Sequence, residues 1–278
     1  MKTLIFPDLH QPPQHVLAAI EVAIEQQRPD KSVFLGDYFD QFGDTPADAE
    51  RMALWLAESF KDARRVHLIG NHDASYLWPN DTTYCPGFAT EKEAVIRAVL
   101  GPDAHTRFQF HEWVDGWLLT HAGLASAWVP EGVDVRPWLD QAAETARQAF
   151  AANREHWFIA TGTMRGGRDR AGGVLWCDWR EQRWPGKQLF GHTPAREVRQ
   201  ATKSVCLDTN IGEGPQHFAV LLDGVLTIHD LRSASRAPWR NRRIVPGYGQ
   251  LMSCPPGNDI QAALDEIRDD ESRSENRS

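Results

Sequence analysis

The sequence predicts an α/β fold, and three observations carry that reading. Over the first seventy residues short apolar runs alternate with amphipathic stretches, the pattern of βαβ units that build a sheet. Each of those apolar runs ends in a polar cluster, at Asp8 to His10, Gly36 to Asp40 and Gly70 to Asp73. In open α/β sheets ligands bind in the crevice outside the carboxyl ends of the strands, so three such clusters can converge on one site. The second half pairs apolar runs across Asp-Gly, the short-range signature of a hairpin.

The elements follow in order. Leu4-Ile5-Phe6 reads as a strand, and Gln14 to Gln27 as a helix with Val16, Leu17, Ile20, Ala23 and Ile24 on one face. Val33-Phe34-Leu35 is the second strand. Thr45-Pro46 opens another helix, a cap residue with proline at the first helical position, running through Met52, Trp55, Leu56 and Ser59. Val66 to Ile69 is the third strand. Phe108 to Trp113 and Trp117 to Thr120 form a hairpin about Asp115-Gly116, and His217 to Leu222 and Val225 to His229 form one about Asp223-Gly224. Between the hairpins, Val135 to Arg154 is an alanine-rich helix, and Thr161 to Gly173, dense in glycine and arginine, is a loop. No internal repeat is visible, and we read residues 1–260 as one domain. Residues 261–278 form a charged tail with little to bury, expected to be disordered.

Composition narrows the class. Apolar residues make up 41% and charged residues 24% of 278, ordinary globular usage. The net charge of −8, with basic residues only in scattered pairs such as Arg64-Arg65 and Arg242-Arg243, disfavours long nucleic acid as a partner. No window approaches the roughly eighteen apolar residues of a membrane span, so no membrane partner is expected. Leu4-Ile5-Phe6 is too short for the apolar core of a signal peptide. Cys85, Cys177, Cys206 and Cys254 share no CxxC spacing and read as reduced thiols, which with the missing leader points to the cytoplasm.

The chemistry lies at the strand ends. Hard divalent cations take oxygen and imidazole ligands, and rigid strand ends fix their geometry. Asp8 and His10 follow the first strand, Asp37 and Asp40 the second, and Asn71, His72 and Asp73 the third. His121 and His192 each closely follow a later apolar run. One histidine after a strand is most often an ordinary satisfied residue, but five strand ends finishing in ligand-type residues are not explained that way. Gly36, Gly70 and Gly191 directly precede ligand-type residues, where a missing side chain permits a sharp turn or a close approach.

At this point the sequence resembles the calcineurin-like metallophosphoesterase superfamily, in particular the branch of the Ser/Thr phosphoprotein phosphatases and bacterial diadenosine tetraphosphatases. The motifs PDLH, GDYFDQFG, GNHD, THAG, FGHTP and LDTN occur in order from Asp8 to Asn210, with VLWCDW where that branch has a similar tryptophan-containing segment. The resemblance implies a four-layer α/β/β/α sandwich of two mixed sheets flanked by helices. It also implies two divalent ions, Mn²⁺ foremost with Fe or Zn²⁺ as alternatives. Asp8, His10 and Asp37 would hold the first, with Asp37 bridging to a second held by Asn71, His121 and His192. His72 would be the general acid, oriented by Asp40, while a metal-bridging hydroxide attacks the phosphate. Asp208 would orient ligands from behind.

Two departures shape the substrate expectation. Where the phosphoprotein phosphatases carry a phosphate-gripping arginine after the second motif, this chain has Gln41, and no arginine occurs in Ala74 to Asn80. An amide does not replace a bidentate guanidinium, so Arg180 and Arg183, or Arg165, Arg168 and Arg170, are the candidate substitutes. The GHxH of many phosphodiesterases of the superfamily is Gly191-His192-Thr193-Pro194 here, and Pro194 has no group that could ligate a metal. The expected activity is therefore hydrolysis of a phosphomonoester of a protein or small molecule. The alternative is a dinucleoside polyphosphate or another phosphodiester, for which Trp78, Tyr84 or Trp176 would supply a base slot. A catalytically silent scaffold and a phosphatase processing nucleic-acid ends are the remaining readings.

Overall fold

The computed structural model describes residues 1–10, 13–41, 43–210 and 215–231. The amino-terminal half runs β1 (Lys2–Phe6), α1 (Pro13–Gln27), β2 (Lys31–Phe34), α2 (Pro46–Ser59), β3 (Arg65–His67), α3 (Asn71–Leu77) and α4 (Thr90–Leu100). There follow β4 (His111–Val114), β5 (Trp117–Thr120), α5 (Val135–Ala151), β6 (Gln188–Phe190), β7 (Arg199–Ala201), β8 (Ser204–Cys206), β9 (His217–Leu222) and β10 (Val225–Asp230).

These strands make two mixed five-stranded sheets, in the orders β10-β9-β1-β2-β3 and β4-β5-β6-β8-β7. In the first, β1, β2 and β3 are parallel, joined by helical crossovers, and β9 pairs antiparallel to β1 with Leu4 opposite Val220. In the second, β5, β6 and β8 are parallel, while β4 and β7 are antiparallel.

Side-chain alternation explains the layers. Ile5, Val33 and Leu35 of the first sheet pack with Leu119, Leu189 and Val205 of the second in a core between the sheets. The intervening Leu4, Phe6 and Phe34 point the other way, onto Leu17, Ile20 and Ala23 of α1 and Met52, Trp55 and Leu56 of α2. On the far side Leu118 joins the cluster containing Leu139, Ala142 and Ala146 of α5. The architecture is thus two mixed sheets flanked by helices, as the resemblance implied.

Local chemistry sets the ends of the elements. Thr45 and Asp48 close a capping box on α2, with Pro46 in the first turn. Asp115-Gly116 and Asp223-Gly224 all have positive φ, from 47° to 79°, which is what a two-residue hairpin turn requires. Three expected boundaries move. The first hairpin strand begins at His111, because Phe108 turns inward to pack on Phe60 and Tyr38 with ring centroids 5.1 and 5.8 Å away. The helix expected to reach Arg154 stops at Ala151, and Asn153 turns left-handed at φ 50°. The strand expected to reach Ile69 ends at His67, though Leu68 still bridges Gln109. Helix α4 was not expected. The tail at 261–278 lies outside the described residues.

Candidate metal centre

Every candidate ligand sits just beyond the carboxyl end of a strand, and both sheets contribute. Asp8 and His10 follow β1, Asp37 follows β2, Asn71 opens α3 after β3, His121 follows β5 and His192 follows β6. The two sets of strand ends touch: Asp8 Oδ2 accepts the His192 N–H at 2.9 Å, and His121 Nδ1–H donates to Leu35 O at 2.9 Å. Such closeness needs glycine. A Cβ on Gly191 would overlap Asp8 Oδ1, and one on Gly70 would overlap Asp37 Oδ1.

The backbone is held in unusual shapes here. His10, Asp37, Asp40 and His192 all have positive φ, at 34°, 52°, 67° and 68°. Non-glycine residues in that region cost on the order of 1–3 kcal/mol each, and they cluster where a site is being built. Asp73 fixes the arrangement from within. Its Oδ2 accepts from Gly70 N at 2.8 Å and Asp37 N at 2.7 Å, and its Oδ1 accepts from Tyr38 N at 2.9 Å.

The side chains converge in two groups that share Asp37. Ligand atoms of His10, Asp37 and His72 lie within 4.8 Å of one another, as do those of Asp37, His121 and His192. Asn71 Oδ1 adjoins the second group, 2.9 Å from His121 Nε2. Asp8, buried at 1% exposure, stands beside them with Oδ1 unpartnered, and His192 Nε2 is likewise buried without a partner. His72 is turned toward this centre, its ring edge-on to His10 with centroids 4.9 Å apart. Its Nδ1 pairs with Asp40 Oδ2 at 2.9 Å.

The hydrogen-bond partners of the histidines limit what such a site fits. His10 and His121 each spend their Nδ1–H on a backbone carbonyl, of Phe39 at 2.8 Å and of Leu35 at 2.9 Å. In a neutral ring the other nitrogen is then a bare acceptor. His10 Nε2 meets Asp37 Oδ2 at 2.9 Å, a carboxylate that, against burial, raises this histidine and can take a proton from it, whereas His121 Nε2 faces Asn71 Oδ1 at 2.9 Å. The acceptor of His121 held against the acceptor of Asn71, with the orphaned Asp8 oxygen and His192 nitrogen nearby, fits the donor set of a divalent cation.

Charge follows the same logic. Burial pushes Asp8 well above the usual carboxylate range, helped by the charges of Asp208 and Asp37. Burial would do likewise to Asp37, but His121, His10 and His72 outweigh it and hold Asp37 well below. Burial pushes His121 down and His192 well down, so His192 is the imidazole most strongly held neutral, with a lone pair to give. Burial also opposes charge on His72, but Asp37 and the bond to Asp40 raise it well above an ordinary histidine.

The arginines are placed unequally. Arg183 lies over the Phe190 ring, 4.2 Å from its centroid, and donates to Cys177 Sγ at 2.8 Å. Arg180 pairs with Asp178 at 2.8 Å with its side chain 61% exposed. Arg165, from the glycine-rich loop, donates to His192 O at 3.2 Å and Thr193 Oγ1 at 3.0 Å and so leans on the centre directly. Asp208 is buried behind the ligands and accepts from Asn210 N at 3.0 Å; burial lifts its carboxyl to about 6.

Other expectations are corrected or extended. Trp78 cannot wall a base slot, because it is buried against Phe110 and Phe150. Trp176 stands edge-on to His192 at 5.4 Å, and Tyr84 is 50% exposed. Sequence reasoning missed three neighbours of the site: Tyr76 and Lys92, both on Asp40 Oδ1 at 2.5 Å, and Cys85, whose sulfur accepts from Asn71 Nδ2 at 3.1 Å. Lys92 lies 52 residues from its partner and carries no local signal. A separate cavity of about 350 Å³ between β4 and α5, lined in part by His111, Trp113 and Arg136, contains none of the ligands.

Among solved structures at low identity, one phosphatase shares the fold. A cold-active protein-tyrosine phosphatase of a psychrophilic Shewanella species is 14% identical, with a TM-score of 0.56 over 83% of this chain and 78% of that one. A protein serine/threonine phosphatase from Saccharomyces cerevisiae is 13% identical, with a TM-score of 0.48 over 82% and 79%. A metallophosphoesterase from Sphaerobacter thermophilus is 14% identical, with a TM-score of 0.40 over 83% and 88%. No curated protein matches the sequence significantly. The family model described as calcineurin-like phosphoesterase matches residues 1–196, and the chain accordingly belongs to that family of phosphoric ester hydrolases.

Proposed function

We propose that the protein is a two-cation phosphatase, acting on a phosphomonoester of a protein or small molecule in the cytoplasm. The observation that carries this reading is Asp37, whose Oδ2 lies 2.9 Å from His10 Nε2 and 3.4 Å from His121 Nε2 and so stands between two groups of ligand atoms, where a carboxylate shared by a pair of cations would have to be. Asp8, His10 and Asp37 would hold one ion, and Asp37, Asn71, His121 and His192 the other. Mn²⁺ is our first choice, with Fe and Zn²⁺ accepted by the same donors. When bound, such a pair supplies Lewis acidity, lowering the pKa of water and offsetting phosphate charge.

The chain's own residues do the rest. Asp40 holds the Nδ1–H of His72, so Nε2 is the nitrogen that presents a proton to the leaving-group oxygen. Asp37 and Asp40 favour the protonated ring before that transfer. Arg165, ion-paired with Asp178 Oδ2 at 2.8 Å, is the guanidinium that donates to His192 O and would stand in for the one that Gln41 leaves out of the second motif. Asp208 sets the field behind His10 and Asp8.

A second reading, hydrolysis of a dinucleoside polyphosphate or related diester, draws support from the half-buried Trp176 edge-on to His192. The test is purified protein stripped of metal, reloaded singly with Mn²⁺, Fe²⁺ or Zn²⁺, and assayed on monoesters, diesters and dinucleoside polyphosphates. Metal-dependent turnover of monoesters with diesters inert supports the first reading. Turnover of the dinucleotides alone supports the second, and inertness toward every ester with every metal rejects both.

A further inference from the structure

An asparagine that serves a cation must turn its oxygen inward, and the shape of the amide does nothing to enforce that. The C=O and NH₂ ends are nearly the same size, so hydrogen bonding decides the orientation. Asn71 Oδ1 lies 2.9 Å from His121 Nε2, and Nδ2 donates to Cys85 Sγ at 3.1 Å. Asn71 is 3% exposed and Cys85 6%, so bulk water is poorly placed to take the sulfur's role.

Cys85 is held firmly enough to matter. It lies in the segment between α3 and α4, which Ser75 Oγ anchors by donating to Thr83 O at 2.9 Å. Gly87, two residues on, presses against Asp40, and a Cβ there would meet Asp40 Cβ at 2.9 Å. The His72 ring is a second polar neighbour of the sulfur. The thiol therefore touches both a candidate ligand and the candidate acid.

We propose that Cys85 is a positioning residue: its sulfur captures the Asn71 amide N–H and so keeps Oδ1 facing the cation held by Asn71, His121 and His192. The assignment rests on the reading of those residues as ligands. It involves no chemistry at sulfur, only the acceptance of one hydrogen bond. Partners of this kind behind a metal ligand typically alter affinity by about 10–100-fold when removed.

The experiment is calorimetric titration of the metal-stripped full chain with Mn²⁺, which needs no substrate. The wild type is expected to show two binding events. Cys85→Ala and the space-filling Cys85→Val should each weaken one event by about 10–100-fold and leave the other unchanged. Cys85→Ser, whose hydroxyl accepts the same bond, should restore it. Wild-type affinities in both Ala and Val variants overturn the assignment alone, as does equal weakening of both events or a Ser variant no better than Ala. A wild-type chain that takes up fewer than two ions overturns the two-cation reading, and this assignment with it.

Discussion

Lys92 Nζ lies 2.5 Å from Asp40 Oδ1, while the other oxygen of that carboxylate lies 2.9 Å from His72 Nδ1. Tyr76 OH donates to the same Oδ1 at 2.5 Å. Helix α4 thus reaches the candidate acid through one shared carboxylate. Burial alone would lift Asp40, but His72, Lys92 and Tyr76 hold it below the ordinary carboxylate range and keep it charged.

Replacing Lys92 by Met should leave a nearly buried carboxylate short of its cation. Lys92 is 4% exposed, and removing one partner of a buried pair costs about 3–5 kcal/mol. Because Tyr76 and His72 remain, the loss should fall near 3 kcal/mol, read as a lower urea midpoint, and Lys92→Arg should recover most of it.

His72→Asn should lower kcat by roughly 10²–10⁴-fold and leave KM within a few-fold, because the side chain is assigned to proton delivery rather than binding. Asp40→Asn should fall between that variant and wild type. Steady-state kinetics on the best monoester decides it, and an unchanged kcat in His72→Asn removes the residue from the mechanism.

Gly191→Ala should be far worse than Gly132→Ala, although Gly132 has the positive φ of 73°. At Gly132 nothing lies within 4 Å of an added Cβ, so only backbone strain of about 1–2 kcal/mol is expected. At Gly191 the Cβ overlaps the buried Asp8 carboxylate. A loss above about 4 kcal/mol, or no folded protein, is the expected result in thermal denaturation.

His67 should give the protein an acid-sensitive core. It stacks on Phe34 at 4.6 Å and bonds Tyr38 OH at 3.0 Å and Ser59 Oγ at 2.9 Å. Burial, with Arg65 adding to it, pushes its pKa down to about 3. An unfolded histidine titrates near 6.5, so between pH 6.5 and about 3 the unfolded chain binds the extra proton. Its contribution is therefore complete above that window and falls with pH by up to about 1.4 kcal/mol per unit. Urea midpoints at pH 7 and pH 5 should converge in His67→Gln relative to wild type.

The parts legible in the sequence were those with local causes. Strands β1 and β2 announce themselves as apolar runs broken by Asp8 and by Gly36-Asp37, and α2 by Thr45-Pro46. The parts that were not legible depend on distant partners. Helix α4 buries Ile96 and Leu100 but also Lys92, a residue whose type argues for exposure until Asp40 and Asp44 stand beside it. Phe108 has the composition of a strand residue, yet its place is fixed by aromatic neighbours from three other segments. Arg165 differs from Arg168 and Arg170 in nothing the sequence displays; only the folded loop puts it on His192.

Asp8 and His192 come from different sheets, and the bond between them crosses the seam where the two halves of the sandwich meet. Cations seated there would act as a clasp, gripping side chains from both sheets at one end, while apolar packing with a few polar links such as Lys31 to Glu112 joins the rest of the seam. Chelation should then loosen the sandwich from that end first, with backbone amides beside Asp8 and Gly191 exchanging with solvent before those in the middle of β1. For such a molecule, losing its metals and beginning to come apart are the same event.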